Sequence, residues 1–192
     1  PTLVFTDPAS KLDADQIAAA LPGLKTYVVD ATADGQRLLV LAAGGNRPGA
    51  YYLLTRTRGK AVLSLIGDTR PDISTSMLAP VTPISYRARD GLVIHGYLTL
   101  PPNAPKGPIP FVVMPHGGPT ARDDLGFDYI AQMIASRGYG VLQPNCRGST
   151  GYGAAFERAG FRQGGRGREE DRVDGTKWLI DRKRADPKRI GI

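Results

Sequence analysis

Two short segments of the chain carry residue types and spacings suited to acyl-transfer chemistry. The first, His116-Gly117-Gly118-Pro119, directly follows the apolar run Pro110 to Pro115. Two glycines after a strand let the backbone turn sharply and leave N–H groups that no Cβ covers. Such donors can hold the negative oxygen that develops when a carbonyl is attacked. The plainer reading of the same residues is a Gly-Pro turn without chemistry. The second segment, Asn145-Cys146-Arg147-Gly148-Ser149-Thr150-Gly151-Tyr152-Gly153, follows the next short apolar stretch. Ser149 has Arg147 where a Gly-x-Ser-x-Gly nucleophile elbow requires glycine, and it precedes a helix instead of following a fifth strand, so we read it as non-nucleophilic. His116, beside the two glycines, is read as bracing the loop through a hydrogen bond. His95, inside a strand pattern, is read as structural or surface.

The remaining chemical inventory is sparse. With two histidines and one cysteine far apart in sequence, the chain has no metal-ligand spacing and no complete Ser/His/Asp set. Gly164-Gly165-Arg166-Gly167 lacks the Gly-Lys-Ser/Thr ending of a phosphate loop and reads as a flexible connection. No cofactor is implied. Cys146 follows an apolar stretch and reads as a small core or loop residue.

The elements that must position these segments fall into two grammars. Residues 27–66 read as four short strands (27–32, 37–42, 50–55 and 61–66), with turn signals at Asp34-Gly35 and Thr57 to Lys60 and a loop from Gly44 to Gly49. A short helix is predicted over 14–21, capped by Asp13 and stopped at Pro22-Gly23. Prolines at 71, 80 and 83 break every period and mark a domain boundary. Beyond it, a hairpin turns at Asp90-Gly91 and is followed by a buried strand over 110–115, a helix over 129–137 ending at Gly138, and a strand over 140–143. A second helix spans 169–184 with Val173, Thr176, Leu179 and Ile180 along one side, and a last strand covers 189–192. Strands alternating with helices predict a mostly parallel sheet covered by helices.

Composition restricts the function classes. The 192 residues are 41% hydrophobic and 22% charged, as in ordinary globular proteins. The formal charge is +7, yet acids and bases interleave, as in Arg166-Gly167-Arg168-Glu169-Glu170-Asp171-Arg172. Mixed-sign runs read as solvated faces and argue against nucleic-acid binding. One cysteine excludes an intrachain disulfide. No apolar stretch is long enough for a membrane-spanning helix. No signal peptide is visible at Pro1, and the compartment stays open between cytoplasmic and periplasmic or secreted.

The order of motifs goes further than any one of them. Arg89-Asp90-Gly91 leading to Gly96-Tyr97-Leu98, then Pro115 to Pro119, then Asn145 to Gly153, then Asp171-x-x-Asp174-Gly175-x-x-Trp178-Leu179, then Asp186-Pro187-x-Arg189-Ile190-Gly191-Ile192, resembles the acylaminoacyl-peptidase and dipeptidyl-peptidase branch of the prolyl oligopeptidase family. Cys146 departs from the pattern, since these proteins commonly carry Tyr there. The resemblance implies a β-propeller remnant over 1–80 followed by the N-terminal part of an α/β-hydrolase domain over 81–192. It implies a serine peptidase acting through an acyl-enzyme, with peptide substrates. Gly118, with Gly117, would supply a backbone oxyanion donor, and His116, Asn145 and Arg147 would support the loops. It further implies that the nucleophile elbow, the acid and the base lie in a missing remainder of the polypeptide, so that this chain alone is inactive and leaves apolar surface open at its last strand. An esterase or lipase of the same fold, or a non-catalytic binding protein, is the alternative, and a homo-oligomer is compatible with the sequence.

Overall fold

The computed structural model describes residues 5–118 and 120–192. Pro119, the last residue of the His116 motif, therefore lies outside the described residues. The chain divides into two compact units, Pro1–Ser76 and Met77–Ile192.

The first unit is a helix packed on an antiparallel four-stranded meander. Helix α1 (Pro8–Ala20) precedes β1 (Lys25–Ala31), β2 (Arg37–Gly44), β3 (Arg47–Thr57) and β4 (Lys60–Asp68), which pair in sequence order. The helix starts earlier than its apolar pattern predicts. Asp7 is the N-cap, its carboxylate accepting from Ser10 N at 2.8 Å, and Pro8 follows in the first turn, where a missing N–H costs nothing. Asp13, the predicted cap, instead pairs with Arg56 of β3. The predicted loop over 44–49 is also shorter. Strand pairing continues to Gly44 and resumes at Arg47, and an irregularity between Ala42 and Gly44 absorbs the extra residue near Pro48. Ile17, Leu38, Val40 and Leu54 form the core.

The second unit is a five-stranded sheet in the order β5-β6-β8-β7-β9. Its strands are β5 (Val81–Arg87), β6 (Val93–Thr99), β7 (Ile109–Val113), β8 (Gly140–Asn145) and β9 (Ala185–Gly191). Helix α2 (Tyr129–Ser136) connects β7 to β8, and α3 (Ala154–Arg158) and α4 (Gly167–Asp181) lie between β8 and β9. The sheet is mixed and not mostly parallel. The Asp90-Gly91 hairpin makes β5 and β6 antiparallel, β6 pairs antiparallel with β8, and only the β8-β7 and β7-β9 pairs are parallel. Leu98, Ile109, Phe111, Val113, Leu142, Leu179 and Ala185 make the core. β5 and β9 are the edge strands; Ile190 of β9 packs against that core, whereas Ile192 is 78% exposed.

Helix α4 corrects the sequence reading most sharply. Val173, placed by periodicity on its buried side, is 43% exposed. The residues it buries are Gly167, Asp171, Asp174, Gly175 and Leu179. Two carboxylates can face inward because two arginines meet them. Arg147 binds Asp171, and Arg89 binds Asp174 through its backbone N–H (2.8 Å) and its guanidinium (2.9 Å). The run expected as a solvated face is therefore an anchoring face. Helix α3 had no sequence signal that we read, being only five residues long.

Gly175 sits where α4 touches β5. A Cβ there would lie 2.7 Å from the Tyr86 hydroxyl and 2.8 Å from its ring carbon. That hydroxyl is itself fixed, donating to Asp171 O at 2.8 Å. On an exposed helix Gly→Ala stabilises by up to about 1 kcal/mol. Here overpacking against a buried ring outweighs it, typically by about 1–3 kcal/mol. Gly175→Ala is expected to lower stability in chemical denaturation, and an unchanged or higher midpoint would refute this packing.

Candidate active site

The two chemical segments meet at the carboxyl ends of β7 and β8. β7 is flanked on both sides, by β8 and β9, and Met114 N extends the pairing to Leu142 O at 2.8 Å. The chain then leaves the sheet through Pro115 and turns at His116-Gly117-Gly118. Gly118 has φ of +133°, and a Cβ on it would lie 3.0 Å from Thr120 N and from Ala121 Cβ. Only glycine fits that turn without strain. Gly117 and Gly118 are exposed, and among the described residues neither backbone N–H has a hydrogen-bond acceptor.

The loop is held from the β8 side by two sets of bonds. His116 Nε2 lies 2.7 Å from Ser149 Oγ, and its Nδ1 lies 2.7 Å from Gly117 O. With the proton on Nδ1 the ring donates to Gly117 O and accepts from the Ser149 hydroxyl, which ties the glycine turn to Ser149. Further along, Asn145 is fully buried and clamps one residue in both directions. Its Oδ1 accepts from Asp123 N at 2.8 Å, and its Nδ2 donates to Asp123 O at 3.1 Å. The same Nδ2 also donates to Tyr152 OH at 2.8 Å. Thr150 N adds a bond to Ala121 O at 3.0 Å.

Arg147 is not brought to the glycines. Its guanidinium turns to α4, where Nε and Nη2 meet the Asp171 carboxylate, while Nη1 reaches Asp90 at 2.7 Å. Bonding to Arg147 holds Asp90 below the ordinary carboxylate value, and bonding to Asp171, and next to Asp90, holds Arg147 above the ordinary arginine value. Arg147 thus joins the Asn145–Gly153 loop to the hairpin tip and to the helix.

Ser149 and His116 reproduce one edge of a hydrolytic triad, yet the serine is 0% exposed. Its hydroxyl also contacts Cys146 O at 2.7 Å. A substrate carbonyl has no access to it, so the pair is a brace. Burial pushes the Cys146 thiol up to about 11, well away from a reactive thiolate. His95 stacks on Tyr152 at 4.9 Å between ring centres, and Arg122 covers that ring at 5.0 Å.

Asp123, Arg122, Tyr152 and Asp171 are the parts of this arrangement that sequence reasoning did not assign. For Asp171 the available signal was the pair of acids in Asp171-x-x-Asp174-Gly175, three apart and followed by a glycine small enough to let α4 meet the sheet.

The prolyl oligopeptidase family profile matches residues 125–192. Dipeptidyl aminopeptidase BIII of Pseudoxanthomonas mexicana is 34% identical over 181 residues, 91% of this chain and 26% of that protein. The chain belongs to the prolyl oligopeptidase family. Two solved structures of peptidases agree with that placement. A Mycobacterium tuberculosis puromycin-hydrolyzing peptidase matches with a TM-score of 0.67 at 30% identity, over 81% of this chain and 24% of that one. Pyrococcus horikoshii acylaminoacyl peptidase matches with a TM-score of 0.68 at 28% identity, over 88% and 27%. This prolyl oligopeptidase-family chain therefore spans about a quarter of the length of the relatives it matches.

Asp123 provides a test of the loop's electrostatics. Burial raises its carboxyl from the usual 3.8 to about 6; His116 opposes the shift, and Asp128 and Asp124 add to it. Its Oδ2 is buried without a hydrogen-bond partner. A folded-state value above the unfolded one means that the fold favours the protonated form. The associated stability is complete below about pH 4 and is lost as pH rises through about 6. Asp123→Asn, which copies the neutral carboxyl, is expected to raise the unfolding temperature at pH 7.5 and to leave it unchanged near pH 4. Discounted for partial exposure, the gain is about 1 kcal/mol, or about 3 °C. Equal unfolding temperatures for variant and wild type across that range would contradict the assignment.

Proposed function

We propose that the chain carries the oxyanion loop of a serine peptidase that cleaves peptide bonds through an acyl-enzyme. In this reading residues 1–80 are the end of a β-propeller and residues 81–192 the first part of an α/β-hydrolase domain. The nucleophilic serine, its histidine base and the orienting acid belong to other parts of a longer protein, of which this chain is a portion. The observation that carries the reading is the pair of uncovered N–H groups at Gly117 and Gly118, at the carboxyl end of a strand flanked on both sides. Family membership and the peptidase names of the relatives support it.

The chemistry assigns a role to each part. A serine hydroxyl attacks the scissile carbonyl and passes its proton to the histidine. The carbonyl oxygen takes on negative charge and receives the Gly118 N–H, with a second donor from the residue after the nucleophile. The protonated histidine then gives its proton to the leaving amine. Water repeats the sequence on the acyl-enzyme and frees the acid. His116, Asn145 and Arg147 take no part in bond-making. They keep the Gly118 donor in place, so that no reorganisation is needed when charge develops.

Two measurements test this. Gly118→Val adds a branched side chain where even one Cβ would crowd Thr120 N and Ala121 at 3.0 Å. Peptide turnover by the intact enzyme should fall on the order of a hundredfold, the effect of losing one oxyanion donor. Unchanged turnover in a variant that melts like wild type would remove Gly118 from the site. Separately, a fluorophosphonate probe should leave Ser149 unlabelled, as its burial demands. Labelling at Ser149 found by peptide mass mapping would make it the nucleophile and overturn the assignment.

A further inference from the structure

In sequence, Asp181-Arg182-Lys183-Arg184-Ala185-Asp186 is a mixed-sign run. In space its three cations line one cleft that neither of its acids lines. A cleft of about 370 Å³ lies between the loop after β6 and the turn from α4 into β9. Lys106, Arg182, Lys183 and Arg184 line it, and no carboxylate does. Among the described residues none of the four forms an ion pair. Asp186 is taken up by Arg189 at 2.7 Å. The two walls are joined by the backbone, Ile109 N donating to Arg184 O at 2.9 Å. Arg182 is seated 4.7 Å above the Trp178 ring.

The backbone of this turn carries a second, independent feature. Lys183 N donates to Ile180 O at 2.8 Å and Arg184 N to Leu179 O at 3.0 Å, the two-bond helix ending that normally has glycine at the left-handed position. Here that position is Lys183, with φ of +54°. Stability alone would favour glycine at this point. A strained residue kept where a simpler one fits better directs attention to its side chain. The lysine contributes a fourth cation to the cleft.

We propose that this cleft is an anion-binding site for a small ligand carrying two or more phosphate groups. Its volume lies in the small-molecule range. Guanidinium and ammonium groups together match phosphate oxygens, and a single monovalent anion would leave most of the positive charge unbalanced. Arg182 covers the Trp178 ring and no aromatic residue lines the cleft, which leaves no platform there for stacking a base. The cleft sits at the amino ends of β7 and β9, whereas the glycine turn sits at the carboxyl end of β7. It is therefore a separate site.

The test is calorimetric titration of the intact protein with inorganic tripolyphosphate at about 0.15 M salt, where long-range attraction is screened. One tripolyphosphate should bind per chain, and orthophosphate should bind more weakly. Lys183→Gly should lose about tenfold in affinity, the size of one charge-assisted hydrogen bond, while its unfolding temperature holds or rises. Arg70→Glu, which changes an exposed cation of the first unit, should keep wild-type affinity. The proposal fails if tripolyphosphate does not bind, or if Lys183→Gly binds it like wild type. It also fails if both variants lose equally, if orthophosphate binds as tightly, or if an oligoglutamate peptide binds more tightly than tripolyphosphate.

Discussion

The second unit depends on the buried ion pair between Arg147 and Asp171. Asp171 is fully buried, and the Arg147 side chain is 11% exposed. The carboxylate accepts the Arg147 backbone N–H at 2.9 Å as well as Nε and Nη2. Losing one partner of such a pair typically costs about 3–5 kcal/mol, because the other charge is left buried and unmatched. An apolar substitute for both could be as stable, but it would not set the direction of a loop. What the pair supplies is geometry. It fixes where the chain goes after β8, and Asp90 extends the same guanidinium to the tip of the β5–β6 hairpin.

From that anchor the order of dependence runs outward. Arg147 fixes its loop, so Ser149 and Asn145 stand at set positions on either side of it. Ser149 holds His116, and Asn145 holds the backbone of Asp123. The glycine turn between these two attachments engages Gly117 O with the His116 ring and keeps its N–H groups uncovered. Rigidity is delivered to the turn by its neighbours, and the turn's N–H groups stay available. In the proposed function, donors held in this way need no reorganisation when charge appears on a substrate oxygen.

How much of this was legible in the sequence follows from which interactions have a local signature. The β5–β6 hairpin, α2 with its Gly138 ending and the glycine turn after β7 are encoded by neighbouring residues, and they were readable. The four-stranded meander was readable too, except where Pro48 and a bulge allowed pairing inside a predicted loop. Helix α4 was misread because periodicity rules assume that carboxylates face water. Asp171 and Asp174 face inward only because Arg147 and Arg89, distant in sequence, meet them there. The clamp of Asn145 on Asp123 was invisible for the same reason, being a side-chain-to-backbone match across a sheet end. Asn145 could be flagged by resemblance, but what it holds could not.

The strand order described for the second unit also constrains how the chain acquires its shape. In the meander each strand pairs with its neighbour in sequence, so every contact closes a short loop. In the five-stranded sheet, β7 cannot be lined on both sides until β8 and β9 arrive, and Ile109 must wait for Ala185. The entropy of closing that loop is lost before the contact rewards it. Pairing between sequence neighbours favours early formation of the meander. The β7–β9 pairing spans the widest gap in sequence of any pair in the five-stranded sheet, so its closure carries the largest entropic cost.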